Sequence, residues 1–249
     1  MPFCASCSVD PGVFDGDFCS DSCRDHTEAA RTDFLAGLEQ PFATGWKLWA
    51  SSLSTLVQQA APIAVAAAVL WQLAFPVTAV LLALFGVTLT RTILLQRHAQ
   101  WTYRNPYSWA ARRFVPWVGT VACATALAVI SLGFIGIRLL WADEFSLIRR
   151  AGPVESLKES WYLTSNVPFD DLYLAQLFIE VPKLVMLAAA AFLAVAYPFP
   201  PMGNLLHGFI AGLGFVLVFL GYSGLYATEV ARFYGLNVAR ARRELHGAY

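Results

Sequence analysis

Of the 249 residues, 57% are apolar and 14% are charged, with a mean hydropathy of +0.55. Soluble domains carry about a quarter charged residues, so this composition excludes an ordinary soluble globular domain. Seventeen basic and seventeen acidic residues cancel, which argues against a polyanionic partner, and the charges fall in islands separated by long apolar stretches.

The first island is acidic, with three basic residues against eight acidic ones in residues 1–47. Met1-Pro2-Phe3-Cys4 leads into polar and acidic residues with neither a basic nor an apolar leader region. We therefore expect no secretory signal and a cytoplasmic N-terminus. A reducing compartment favours metal binding over disulfides for clustered cysteines. Cys4-x2-Cys7, eleven residues, then Cys19-x3-Cys23 form two close pairs. Zinc takes four tetrahedral thiolate or imidazole ligands, and a close pair lets one short loop present two of them. His26 is an alternative fourth ligand in place of Cys23. Asp10-Pro11-Gly12 and Asp15-Gly16-Asp17 supply turn formers between the pairs.

Phe18-Cys19-Ser20-x-x-Cys23-Arg24 resembles the FCS/MYM group of treble-clef-like zinc fingers over about 25 residues. The resemblance implies structural zinc on Cys4, Cys7, Cys19 and Cys23, with a helix opening at the second pair. Asp21 and Asp25 suit the positive end of that helix's dipole. Four protein ligands leave no open position for a catalytic water, and so small a finger draws its folding energy largely from the metal. Its acidic surface opposes phosphate binding, so we expect a protein partner and no nucleic acid.

Three charge-free stretches set the architecture: 43 residues from Leu48 to Thr90, 24 from Phe114 to Ile137 and 45 from Leu184 to Thr228. A bilayer core takes roughly 20 helical residues to cross, so the stretches predict about five transmembrane helices. Phe75-Pro76 divides the first stretch, and Pro198-Phe199-Pro200-Pro201-Met202-Gly203-Asn204 divides the third. The expected fold is an all-α polytopic membrane protein, two hairpins around a central helix, with a small N-terminal zinc finger. Pro62 and Pro182 are expected to kink their helices or mark first turns.

Between the spans, Trp101, Tyr103, Tyr107, Trp109 and Trp117 surround a basic island of five arginines in residues 91–113, as aromatic residues do at headgroup level. Residues 143–167 predict an interfacial helix, started by Gly152-Pro153 with Glu155 and stopped at Asn166-Val167-Pro168. From Gly152 to Thr164 the run Gly-Pro-Val-Glu-Ser-Leu-Lys-Glu-Ser-Trp-x-Leu-Thr is similar to a segment of membrane families related to the membrane domain of glycerophosphodiester phosphodiesterases. That likeness implies a membrane scaffold and not the phosphodiesterase activity, whose domain is absent from the sequence. The basic island and the basic tail (Arg232, Arg240, Arg242, Arg243) should both face the cytoplasm, yet three predicted crossings separate them.

Charged residues within a span are functional suspects. Glu180 and Lys183 stand three apart, share a helix face and are expected to form an intramembrane ion pair. Gln58, Gln59, Gln72 and Thr88 are expected to bridge helices, and Gly208-x-x-x-Gly212 to permit close helix contact. Cys123 is expected to be a buried, inert thiol. No Gly-x-Ser-x-Gly, His-Glu-x-x-His or phosphate-loop pattern occurs, so no enzyme is expected.

The expected organisation is a finger and following helix over 1–40, a transmembrane domain over 41–235 and a basic tail over 236–249. The expected role is a non-catalytic integral protein of the cell membrane whose finger mediates protein interaction or assembly. The alternative is a small-solute or lipid transporter or transporter subunit, and a membrane-embedded lipid enzyme ranks below both.

Overall fold

The computed structural model describes residues 36, 39–73, 75–99, 105–131, 133–148, 152–165, 167, 169–196 and 205–247. Every regular element among them is helical. Three helical runs are long and apolar enough to cross a membrane: Pro41–Leu70, Val77–His98 and Pro106–Ile130. The chain is thus an all-α protein of the membrane class. The four cysteines and His26 of the expected finger lie outside the described residues.

The first run comprises α1 (Pro41–Thr55), a π-helical turn (Leu56–Ala60) and α2 (Ala61–Gln72). Pro62 lacks the N–H that an α-helix needs and crowds the carbonyl four residues back. The wider π turn accommodates it, as a single π turn within an α-helix can. The helix continues through Pro62, and the Gln59 carbonyl inside the turn accepts a 2.7 Å bond from the Tyr107 hydroxyl. Gln58 is exposed.

A short turn leads to α3 (Pro76–His98), which opens on proline and closes on Arg97 and His98; the Arg97 charge suits the negative end of the dipole. Thr88, Thr90 and Thr92 are buried, and each hydroxyl donates to the carbonyl four residues back in its own helix. The expected cross-helix bridge at Thr88 is therefore replaced by a local bond.

The central helix α4 (Pro106–Ile130) starts earlier and stops earlier than the charge-free stretch suggests. The Asn105 side chain accepts from the Tyr107 N–H at 2.9 Å with proline in the first turn, an N-terminal signal that overrides hydropathy. Gly133, at φ +92°, reverses the chain beyond Ile130, a conformation glycine adopts without Cβ strain. Cys123 is exposed on this helix, which corrects the expected burial; a thiol is apolar enough to stand on an outward face. Trp117 is buried rather than interfacial.

The expected single helix over 143–167 is two. After the short α5 (Phe134–Arg138), α6 (Ala142–Ile148) and α7 (Pro153–Thr164) are separate elements. Every residue of α6 is buried. Glu155 caps α7 as expected, accepting from the Gly152 N–H at 3.3 Å. The packed face of α7 is Ser156, Ser160, Leu163 and Thr164, whereas Trp161 is exposed.

Helices α8 (Phe169–Ala196) and α9 (Leu205–Gly247) complete the described fold. The expected tail is mostly a continuation of α9, whose 43 residues span about 65 Å at 1.5 Å per residue. Contacts give the directions. Arg91 meets Tyr226 and His98 meets Tyr234, so α3 and α9 run parallel where they touch. Lys183 meets Glu229, while a Cβ at Gly221 would meet Met186, so α8 runs antiparallel to α9. On α1, Trp49 Nε1 donates to Ser223 at 2.9 Å and Gly45 abuts Thr228, so α1 is also antiparallel to α9. Phe85 meets Phe114 and Arg91 meets Trp117, so α4 packs on α3 through these side chains.

Candidate functional site

The charge-bearing centre forms where α3, α6, α8 and α9 converge. On α8, Lys183 Nζ lies 2.7 Å from Glu180 Oε1, so the two residues expected from their spacing do meet. The structure adds a third member, Glu229 of α9, whose Oε1 is 2.5 Å from the same Nζ. Lys183 and Glu229 are each 6% exposed, while the Glu180 side chain is 34% exposed.

One helical turn before Glu229 stands Tyr226, fully buried. Residues three apart share a helix face, so Tyr226 reaches a second charge group. Its hydroxyl donates to Asp143 Oδ2 at 3.0 Å. The Arg91 guanidinium lies 3.5 Å from the centre of the Tyr226 ring, and Lys183 Nζ lies 5.4 Å from it. A ring face attracts cations by its quadrupole, so Tyr226 sits between the two groups and contacts both. Arg91 pairs with Asp143 through Nη1, and the same nitrogen is 4.0 Å from Glu144 Oε1. Burial first, then the adjoining Glu144 carboxylate, pushes the Asp143 carboxyl well above the ordinary range; Lys183 opposes this.

Removing charges from water costs several kcal/mol per ion, and only close counter-charges and hydrogen bonds offset it. The centre meets that demand with distributed pairs. The arrangement can neutralise charge, hold helices in register and retain a proton on a carboxyl. Among the described residues no group of three or more His, Cys, Asp or Glu is placed to hold a metal.

Sequence reasoning located only Glu180 and Lys183. It assigned Arg91 to the basic island, Asp143 and Glu144 to the interfacial segment, and Glu229 to the residues beyond the last apolar stretch. Their charged partners lie 46 or more positions away, beyond any local spacing rule. One signal was present: Arg91 and Glu229 each immediately follow a charge-free stretch, although the helices continue past both.

The run following Gly152 has a structural use. Ser160 Oγ donates to the Arg138 carbonyl at 2.9 Å and accepts from the Trp141 N–H at 3.2 Å. Thr164 Oγ1 donates to the same carbonyl at 3.2 Å. In return, Arg138 donates to the carbonyls of Thr164 and Val167, closing the C-terminal end of α7 where backbone acceptors are otherwise orphaned. Compared with known proteins, the chain matches no family model, no curated protein and no solved structure.

Proposed function

We propose that the chain is a non-catalytic integral membrane protein whose helical domain anchors an N-terminal, zinc-held finger for docking a protein partner at the cytoplasmic face. The observation that carries this reading is the helix direction. Because α3 and α9 run parallel while α1 and α8 oppose α9, the start of α1, the end of α3 and the end of α9 lie toward one face of the bundle. That face carries the start of α1, Arg97 and Arg240. An excess of basic residues marks the cytoplasmic side, so both basic islands satisfy one rule together.

The same directions favour an even number of passes, revising the expected five to four: α1 with α2, then α3, α8 and α9. In this reading α4 adds no net crossing despite its length. Zinc on Cys4, Cys7, Cys19 and Cys23, following the FCS/MYM resemblance, gives the N-terminal segment its fold. The likeness to membrane families related to glycerophosphodiester phosphodiesterase membrane domains supports a scaffold role. Full-length protein should recover a crosslinked partner and bind about one zinc per finger. Deleting residues 1–40 should abolish recovery while the helical domain still inserts; unchanged recovery rejects the docking role.

A second reading, a small-solute or lipid transporter or its subunit, is favoured by the buried lysine shared between two glutamates, since charges within membrane proteins mark transport pathways. Glu180→Gln with Lys183→Met should then reduce solute uptake at least tenfold in reconstituted vesicles. Uptake at the wild-type rate counts against it.

A further inference from the structure

The structure assigns Asp143 and Glu144 as a proton-binding site: a buried carboxyl pair that shares one proton beside a single guanidinium. Two adjacent carboxyls are placed together on α6, 8% and 1% exposed, respectively. Within 4.0 Å of them stands one described cation, Arg91. One guanidinium neutralises one carboxylate, and a second buried negative charge has no counter-ion at contact distance among the described residues.

The hydrogen bonding of the pair is an independent observation. Asp143 is already committed on its outer edges, with Oδ2 accepting from Tyr226 and Oδ1 from the Glu144 N–H at 3.0 Å. Glu144 Oε2 is buried with no hydrogen-bond partner among the described residues. An ionised oxygen there is costly, whereas a protonated carboxyl is tolerated. Like-charge carboxyls sharing one site retain a proton far above the ordinary range.

The surroundings reinforce this balance. From α3 the charged neighbour is Arg91. From α9 come Tyr226, Tyr222 and Glu229, the last adding negative potential. Lys183 of α8 acts from beyond Tyr226 and is engaged by Glu229 and Glu180. On α4, Trp109 donates to the Leu147 carbonyl and Arg113 lies over the Trp109 ring; on α7, Ser156, Ser160 and Thr164 are buried. Arg232 of α9 lies over Trp141 at 5.9 Å.

Release of the proton leaves two negative charges against Arg91 and beside Glu229, which weakens the hold of α6 on α3 and α9. Because a carboxyl raised in the folded state favours folding below its unfolded pKa, that contribution is lost as pH rises through the folded value. Proton occupancy therefore controls how firmly α6 is seated.

The test uses the full chain in lipid nanodiscs, with protons as the ligand. Between roughly pH 5 and pH 9, the range into which burial lifts carboxyls, wild-type protein should release one proton more than Asp143→Asn or Glu144→Gln. Its infrared spectrum near neutral pH should carry a protonated-carboxyl band that both variants lose. Equal proton counts in folded wild type and variants overturn the assignment. Should the variants fail to fold, the wild type decides alone: 13C-carboxyl labelling of aspartate should shift that band, and a band moved only by labelling glutamate, as Glu229 would give, overturns the assignment. A spectrum with no protonated-carboxyl band at neutral pH overturns the assignment equally.

Discussion

Lys183→Met is expected to destabilise the folded protein by about 3–5 kcal/mol, the usual cost of breaking a buried ion pair from one side. The methionine matches the stem of lysine closely, so little of the loss comes from packing. It comes from Glu229, 6% exposed, whose carboxylate loses the ammonium at 2.5 Å. Glu180 contributes less, because its side chain reaches solvent or headgroups at 34% exposure. Replacing both buried partners, Lys183→Met with Glu229→Met, should recover most of the loss, since a hydrophobic pair of similar volume often equals a buried ion pair. Denaturant titration of the four proteins in mild detergent, read as a double-mutant cycle, checks this. Additive losses would show that Lys183 and Glu229 do not interact energetically.

The second large effect is expected at Gly45. A Cβ there would lie 2.5 Å from the Thr228 Cα and Oγ1 and 2.7 Å from its backbone nitrogen. Two of those atoms are backbone, so no side-chain rotation relieves the clash, and α1 must move away from α9. Gly45→Ala should therefore cost about 1–3 kcal/mol, the range for overpacking a close contact, despite alanine's better helix propensity. Gly224→Ala on the facing helix is the control. Its new methyl would meet Trp49 at 3.9 Å, an ordinary contact, so propensity should prevail with up to about 1 kcal/mol of gain. The same unfolding measurement separates the two, and a Gly45→Ala protein as stable as Gly224→Ala would refute the close approach.

These sites differ in how readable they were. The Glu180–Lys183 spacing was legible because a helix places residues three apart on one face. The close glycine contact was not. Gly208-x-x-x-Gly212 carries the familiar small-residue pattern, yet the close approach found is at Gly45, which has no such partner in sequence. Helix starts were partly legible: Gly152-Pro153 with Glu155 marks its helix correctly, because capping is a local interaction. Thr88 was misread, since a hydroxyl in a helix reaches its own carbonyl four residues back more readily than a neighbouring helix.

By itself, the amino-acid sequence determined the helical, membrane-class character of this protein, because long uncharged runs can satisfy their backbone in a bilayer only as helices or closed barrels. It also determined where prolines, glycines and caps interrupt those runs. Only the tertiary structure decided which helices run parallel, and so brought Arg91, Asp143, Glu144, Lys183, Tyr226 and Glu229 together. The physical reason is range: hydropathy and capping act within a few residues, whereas the pairing of buried charges is chosen by helix packing across 46 positions or more.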